Sequence, residues 1–310
     1  MTHFAKASAP GKIHLIGEHS SVYGKPAILC AINKRVVVVL KRTAKDNFFK
    51  DDKIAREAVI SIRSYIKEKY KVKNIPVWID VTSTIPVGRG LGSSASLSAA
   101  ISQAFFSLYR INAGPDEVFN AAYAGEKIFH GNPSGGDLAV CVYGGVIWFR
   151  KETENIKLIK KIKVDPSTFK NVLLVDSGKP VESTREMVVD IVGKKEVGKF
   201  LIDQEKLTKE VSDSLINNKQ KLLRESIVSS GNNLEKLGVV GKQAQKIIFD
   251  LSNLGDSAKV SGAGGFKEGS GIILVFCKNI SRTKKYCKEP ENPLEFMEFK
   301  LESKGVIIEK

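Results

Sequence analysis

The chain of 310 residues has little cysteine and no long apolar run, and both absences exclude classes of protein. Its four cysteines, Cys30, Cys141, Cys277 and Cys287, are scattered and form no CxxC pair. A secreted disulfide scaffold and a cysteine-ligated zinc site are therefore both disfavoured. No apolar run reaches the length of about 18 residues that a membrane-spanning helix needs, and no signal-peptide core is recognisable. We expect a cytoplasmic protein with reduced thiols and no membrane partner.

Three common nucleotide-binding signatures are also missing from the sequence. It contains no GxxxxGK[ST] phosphate loop, no HRD and DFG pair of a protein kinase, and no GxGxxG dinucleotide pattern in its most glycine-rich segment. If the chain binds a nucleotide, it uses a different kind of loop.

Acidic residues are under-represented, since 49 lysines and arginines face 34 aspartates and glutamates and leave a net charge of +15. Such a charge suits a nucleic-acid binder, an anion-binding enzyme or a lysine-rich protein adapted to heat. The lysines are spread along the chain, and neither a zinc finger nor an aromatic RNP-like signature is present. We therefore expect no nucleic-acid partner, whereas the sequence leaves a homodimer open.

Because 310 residues exceed one usual core of roughly 100–200 residues, we expect two lobes with a cleft between them, and hydrophobic periodicity predicts both strands and helices. A polar, proline-containing stretch near residue 165 suggests domains at 1–165 and 166–310. Strands are predicted at 34–40, 77–81, 173–175 and 271–276, and helices at 54–70, from Ser93, from Pro115 to about residue 130, and over most of 194–254.

A glycine-rich segment at residues 86–96, hereafter the glycine loop, follows a predicted strand and opens a predicted helix. Glycines at 88, 90 and 92 stand directly before Ser93 and Ser94. Glycine lets backbone N–H groups converge on one point, and a helix N-terminus adds unpaired donors, so the loop favours phosphate oxygens. A plain strand-to-helix connection capped by Ser93 fits the same pattern. The loop by itself leaves both interpretations open.

Three further segments accompany the glycine loop. Residues 9–27 read APGKIHLIGEHSSVYGKPA, residues 125–137 read GEKIFHGNPSGGD, and residues 259–265, hereafter the second glycine cluster, read KVSGAGG. Together and in this order, the four segments resemble the motifs of the GHMP kinases. Within that superfamily, residues 9–27 and 125–137 are most similar to mevalonate kinases of the short archaeal form.

The resemblance implies an α+β fold, the two-lobed GHMP kinase fold. Its N-terminal lobe would be like ribosomal protein S5 domain 2, and its C-terminal lobe would be a ferredoxin-like α/β sandwich. The implied reaction is transfer of the γ-phosphate of ATP to the 5-hydroxyl of (R)-mevalonate, with Mg²⁺ as cofactor, which gives 5-phosphomevalonate for isoprenoid biosynthesis. Mevalonate and ATP would then be the small-molecule partners.

The resemblance also implies which residues carry the chemistry. Asp137 would accept the hydroxyl proton, and Lys12 would favour the alkoxide and the transferring phosphoryl group. Ser94 and Glu126 would hold Mg²⁺, which prefers oxygen ligands. Each of three residues has an alternative role. Asp137 could instead form a turn, Lys12 could lie at a strand edge on the surface, and Glu126 could be a solvated carboxylate on a helix. Expected ATP-binding residues are Pro86, Gly88, Gly90, Leu91, Gly92, Ser93, Ser94 and Ala95.

The acceptor pocket is implied by residues outside the glycine loop. His14 and His130 are not among them and are predicted to be structural, because a lone histidine is a weak sign of chemistry. Substrate-binding positions by resemblance are Glu18, His19, Ser134 and Thr184, and those of a loop close to the phosphates are Gly262, Ala263 and Gly264.

Two departures from the family pattern concern the acceptor. Leu138 follows Asp137 where mevalonate kinases typically have asparagine, and the second glycine cluster continues as FKEGSG instead of further glycines. Two other hypotheses therefore stay open. One is a different GHMP kinase, acting on phosphomevalonate or a sugar, and the other is a GHMP-like binding protein without catalytic activity.

Overall fold

The computed structural model describes residues 4–291 and 293–310, whose strands form two antiparallel sheets. The first sheet has the order β10-β1-β2-β4-β5, with β3 paired to β2. Long β-branched and apolar stretches build it, which is typical of buried strands. Its strands are β1 (Phe4–Ile16), β2 (Ala27–Arg42), β3 (Val77–Ser83), β4 (Val146–Lys151), β5 (Lys157–Ile162) and β10 (Ile307–Ile308).

Four helices pack with this sheet: α1 (Lys53–Tyr70), α2 (Ser93–Tyr109), α3 (Pro115–His130) and α4 (Gly136–Tyr143). Helix α2 lies on β1 and β2, and α1 and α3 pack against α2. The starts predicted for α2 and α3 are confirmed. Helix α4 is not predicted, because most of its residues are buried apolar ones and show no polar face from which a helical period could be read. None of the described helices is long and apolar enough to cross a membrane.

The second sheet contains β6 (Val172–Asp176), β7 (Ser257–Ser261), β8 (Ile272–Phe276) and β9 (Phe296–Glu298) in the order β7-β8-β6-β9. Helices α5 (Thr184–Asp190), α6 (Val197–Ile216), α7 (Gln220–Lys236) and α8 (Lys242–Asn253) connect β6 to β7, and α9 (Ile280–Cys287) connects β8 to β9. This βαββαβ succession and strand order are the ferredoxin-like arrangement, as the resemblance implies for the second lobe.

The two sheets share one large hydrophobic core, which includes Leu29 of β2, Leu215 of α6 and Leu274 of β8. The end of the chain also returns to the first sheet, where Ile308 pairs with Ala7 of β1. The division at 1–165 and 166–310 stays a prediction, and a cut at that point would separate β10 from its partner strand.

Candidate active site

A cleft of about 680 Å³ brings together segments that are far apart in the sequence. Strand β1, the glycine loop, the C-terminal end of α3, the start of α4 and the second glycine cluster all contribute to its walls. The convergence explains why no single segment identifies the site. The predicted site residues that line the cleft are Lys12, Glu18, His19, Gly88, Gly90, Gly92, Ser93, Ser94, Glu126, Ser134, Asp137, Gly262 and Ala263.

The other predicted site residues have different surroundings. Leu91 and Ala95 are buried in the core, and Pro86 lies before the part of the loop that lines the cleft. Gly264 packs so closely on Val239 that a Cβ atom there would lie 2.0 Å from the Val239 carbonyl oxygen. Helix α5 begins at Thr184, whose side chain lies outside the described part of the structure.

The glycine loop has the backbone geometry of an anion nest. Gly88, Gly90 and Gly92 have φ angles of 73°, 79° and 75°, which side chains with a Cβ atom rarely adopt. Helix α2 begins directly after them, so the unpaired N–H groups of its first turn lie at the cleft. The Lys12 N–H donates to the Leu91 carbonyl oxygen at 2.9 Å and thereby ties the loop to β1. Unpaired N–H groups and the helix dipole favour a phosphate here.

Asp137 lies at the start of α4 with its side chain 40% exposed to the cleft, and both of its oxygens have partners. Lys12 Nζ, whose side chain is only 3% exposed, lies 2.9 Å from Oδ2, and His14 Nε2 lies 2.8 Å from Oδ1. Burial alone would raise the pKa of Asp137, but Lys12 and His14 outweigh it and hold that pKa well below its usual range. Asp137 is therefore an ionised hydrogen-bond acceptor, and Lys12 is not a surface lysine.

Glu126 is a buried carboxylate on α3, with its side chain 4% exposed. Ser98 Oγ donates to its Oε1 at 3.2 Å, and His130 Nε2 lies 3.7 Å from its Oε2 and 2.9 Å from Ser94 Oγ. Burial and the negative charge of Asp137 raise the pKa of Glu126 to about 8. Glu126 is thus not a solvated helix carboxylate, and its protonated form is favoured near neutral pH.

The oxygens of Ser94 and Glu126 fit a hard divalent cation only together with oxygens from a ligand. Within the described residues, no group of three or more His, Cys, Asp or Glu side chains could hold a metal ion by itself. Mg²⁺ commonly takes one or two protein oxygens and completes its shell with phosphate oxygens and water. The predicted pair therefore suits Mg²⁺ that enters with a nucleotide.

The sequence predicts structural roles for His14 and His130, but both side chains line the cleft. His14 stands two residues after Lys12 on β1, and alternate residues of a strand share a face. His130 stands four residues after Glu126 on α3, where residues four apart also share a face. These spacings were the signals that could have placed both histidines in the site.

The second glycine cluster contacts the segment that follows β1. Lys259 of β7 forms an ion pair with Glu18, and the two side chains are 0% and 1% exposed. His19 Nε2 lies 2.9 Å from the Ala263 carbonyl oxygen, so the ring donates its hydrogen there. Burial lowers the pKa of His19 and favours its neutral form. These contacts join the two sheets at the edge of the cleft.

Residues 266–269, which follow the second glycine cluster, lie away from the cleft. The Gly265 N–H donates to the Val239 carbonyl oxygen at 3.0 Å, and Ser270 Oγ donates to the Gly265 carbonyl oxygen at 2.7 Å. Residues 266–269 between these anchors are absent from the lining of the cleft. They line a separate cavity of about 600 Å³ together with Gly178, Lys179, Lys242 and Gln243.

Comparison with protein-family models gives two adjacent matches. Residues 54–145 match the model described as the GHMP kinases N terminal domain, which spans Ser94, Glu126 and Asp137. Residues 3–42 match the galactokinase galactose-binding signature, which spans Lys12 and Glu18.

Similar proteins cover nearly the whole chain. The mevalonate kinase of Pyrococcus abyssi is 30% identical over 300 residues, which are 86% of this chain and 87% of the relative. The crystal structure of the Methanococcus jannaschii mevalonate kinase covers 96% of this chain and 98% of its own at a TM-score of 0.76 and 23% identity. The Lactococcus lactis galactokinase complexed with galactose covers 99% of this chain and 95% of its own at a TM-score of 0.79 and 16% identity. The two structures confirm the fold, which both kinds of kinase share.

Proposed function

Because the chain belongs to the mevalonate kinase family of the GHMP kinases, we propose that it transfers the γ-phosphate of ATP to the 5-hydroxyl of (R)-mevalonate. The observation that carries the proposal is the Lys12–Asp137 pair, which faces the cleft beside the glycine loop. An ionised acceptor, a fixed cation and an anion nest are the protein groups that phosphoryl transfer needs.

The nucleotide phosphates would lie on the glycine loop. Backbone N–H groups from Gly88 to Ser94 would bind them, which explains why the loop needs glycines at three positions with positive φ. Ser94 and Glu126 would hold Mg²⁺ against the phosphates, where the bound ion neutralises charge that develops on the transferring group. A cation there would favour the ionised form of Glu126, whose pKa burial and Asp137 otherwise raise.

Asp137 would orient the acceptor hydroxyl and receive its proton. Because Lys12 and His14 hold its pKa well below the usual range, Asp137 is a weak base for a free alcohol. The proton would therefore move to Oδ2 only as the oxygen–phosphorus bond forms and the hydroxyl becomes acidic. Lys12 would at the same time stabilise negative charge on the transferring phosphoryl group.

A panel of acceptors tests the proposal directly. ADP release would be measured with Mg-ATP and mevalonate, phosphomevalonate, galactose or homoserine, and with Mg²⁺ omitted as a control. We expect Mg²⁺-dependent turnover that is highest with mevalonate. Turnover with a different acceptor only would disprove mevalonate as the substrate but would still support phosphoryl transfer. Nucleotide binding without turnover on any acceptor would indicate a GHMP-like binding protein.

A sugar is the second candidate acceptor, because residues 3–42 match the galactokinase galactose-binding signature. Lys12 and Glu18 lie within that match, so it includes part of the cleft. Galactose in the panel decides between the two. We further propose that the enzyme acts in the cytoplasm, where ATP is available, and a homodimer stays a prediction.

A further inference from the structure

His14 lies in the cleft, and the proposed reaction gives it no role beyond its effect on the pKa of Asp137. Its ring lies beside Lys12 on the same face of β1, and the two side chains contact different oxygens of Asp137. Lys12 reaches Oδ2, and His14 reaches Oδ1 at 2.8 Å. The carboxylate is thus held at two points, which fixes its rotation.

The hydrogen on the His14 ring can be assigned from its partners. Asp137 is ionised and can only accept, so His14 Nε2 must carry the hydrogen. The opposite nitrogen, Nδ1, is buried and has no hydrogen-bond partner in the described structure. A buried N–H without a partner costs free energy, which also favours Nδ1 without a hydrogen.

The backbone of His14 is fixed as well. Its N–H donates to Ser261 Oγ at 2.9 Å, and Ser261 Oγ donates back to the His14 carbonyl oxygen at 3.1 Å. Ser261 is the last residue of β7, so the second sheet fixes the backbone of His14, whose ring contacts Asp137. Ring and backbone are therefore both restrained.

We propose that His14 is a positioning residue for Asp137. It binds Oδ1 and so leaves Oδ2, which contacts Lys12, to face the acceptor hydroxyl. This inference depends on the proposed phosphoryl transfer. Without His14 the carboxylate could rotate and present both oxygens to Lys12, and misplacement of a reacting group by about 1 Å can cost on the order of 100-fold in rate.

Kinetics of two variants test this role. His14→Met removes the donor at similar length, and His14→Gln keeps an N–H donor near the position of Nε2. We expect His14→Met to lower kcat by about 10–100-fold with the KM for ATP nearly unchanged, and His14→Gln to recover most of the loss. Equal kcat values for His14→Met and the wild type, or equal losses for both variants, would overturn the proposal.

An NMR measurement on the wild-type chain is independent of activity. The sequence has only four histidines, so ¹⁵N-histidine labelling can report the tautomer of each ring. We expect the hydrogen of His14 on Nε2, and a hydrogen on Nδ1 alone would overturn the contact with Asp137. This measurement on the wild type tests the contact with Asp137 even if His14→Met does not fold. Absence of turnover by the wild type on every acceptor would instead disprove the proposed function.

Discussion

Asp137 shows how one side chain acquires its chemistry from distant parts of the chain. An aspartate that follows two glycines would ordinarily form a turn, and in isolation its carboxyl group would have an ordinary pKa. The structure places it between Lys12 and His14, and these two neighbours keep it ionised and oriented. The residue is therefore suited to hold a hydroxyl group in a fixed position.

Replacement of Asp137 by asparagine keeps the shape of the side chain and removes its charge and its proton acceptor. Asp137→Asn should lower kcat at least about 100-fold, because general-base groups contribute roughly 10²–10⁴-fold, while nucleotide affinity is largely kept. ADP release and a nucleotide titration measure the two quantities. Asp116→Asn, on the first turn of α3, is the matched control and should stay active. Near-normal turnover of Asp137→Asn would remove it from this role.

At the scale of an element, the glycine loop is shaped by contacts as well as by its own backbone. A Cβ atom on Gly92 would lie 2.6 Å from Lys12 Cγ, so a side chain there would displace the lysine. The loop thus limits the position of Lys12 in addition to its proposed binding of a phosphate.

Alanine at Gly92 should therefore harm activity beyond its effect on stability. Gly145→Ala is the matched control, since Gly145 has a similar φ of 73° but a Cβ atom there would meet no atom within 4 Å. Both variants should lose about 1 kcal/mol or more of stability from the left-handed backbone. Only Gly92→Ala should also lower kcat, by about 10-fold or more, because Lys12 moves. Equal kcat values for the two variants would contradict this explanation.

For the whole molecule, the Lys259–Glu18 pair is the clearest link between the two sheets. Both charged groups are buried, and each supplies the opposite charge that lowers the free-energy cost of burying the other. Burial lowers the pKa of Lys259, and Glu18 opposes that shift. Loss of either partner would leave a charge isolated in the interior.

Lys259→Met should destabilise the protein by about 3–5 kcal/mol, because it leaves the Glu18 carboxylate buried without a counter-charge. The double variant Glu18→Gln, Lys259→Met should recover part of that loss. Lys246→Met breaks an exposed pair with Asp250 on α8 and should cost less than about 1 kcal/mol. Urea unfolding of the variants measures these differences. Equal stabilities of the single and double variants at Lys259 would disprove the coupling.

The sequence by itself determined most of the described helices, four of the ten described strands and the motifs of the cleft. These signals are local: the apolar period of α1, the proline that opens α3, and the glycines that precede Ser93 each act within a few neighbours. The residues that resemble a family pattern are local in the same sense. For this reason Lys12, Ser94, Glu126 and Asp137 could be named before any contact was known.

Only the tertiary structure decided which of these side chains meet and what they meet. His14 contacts Asp137 across 123 positions of sequence, and Lys259 contacts Glu18 across 241. The return of β10 to β1 and the outward course of residues 266–269 are equally invisible in a local pattern. Such contacts depend on how whole sheets pack, so burial, ion pairing and the shifted pKa values of the site follow from the fold.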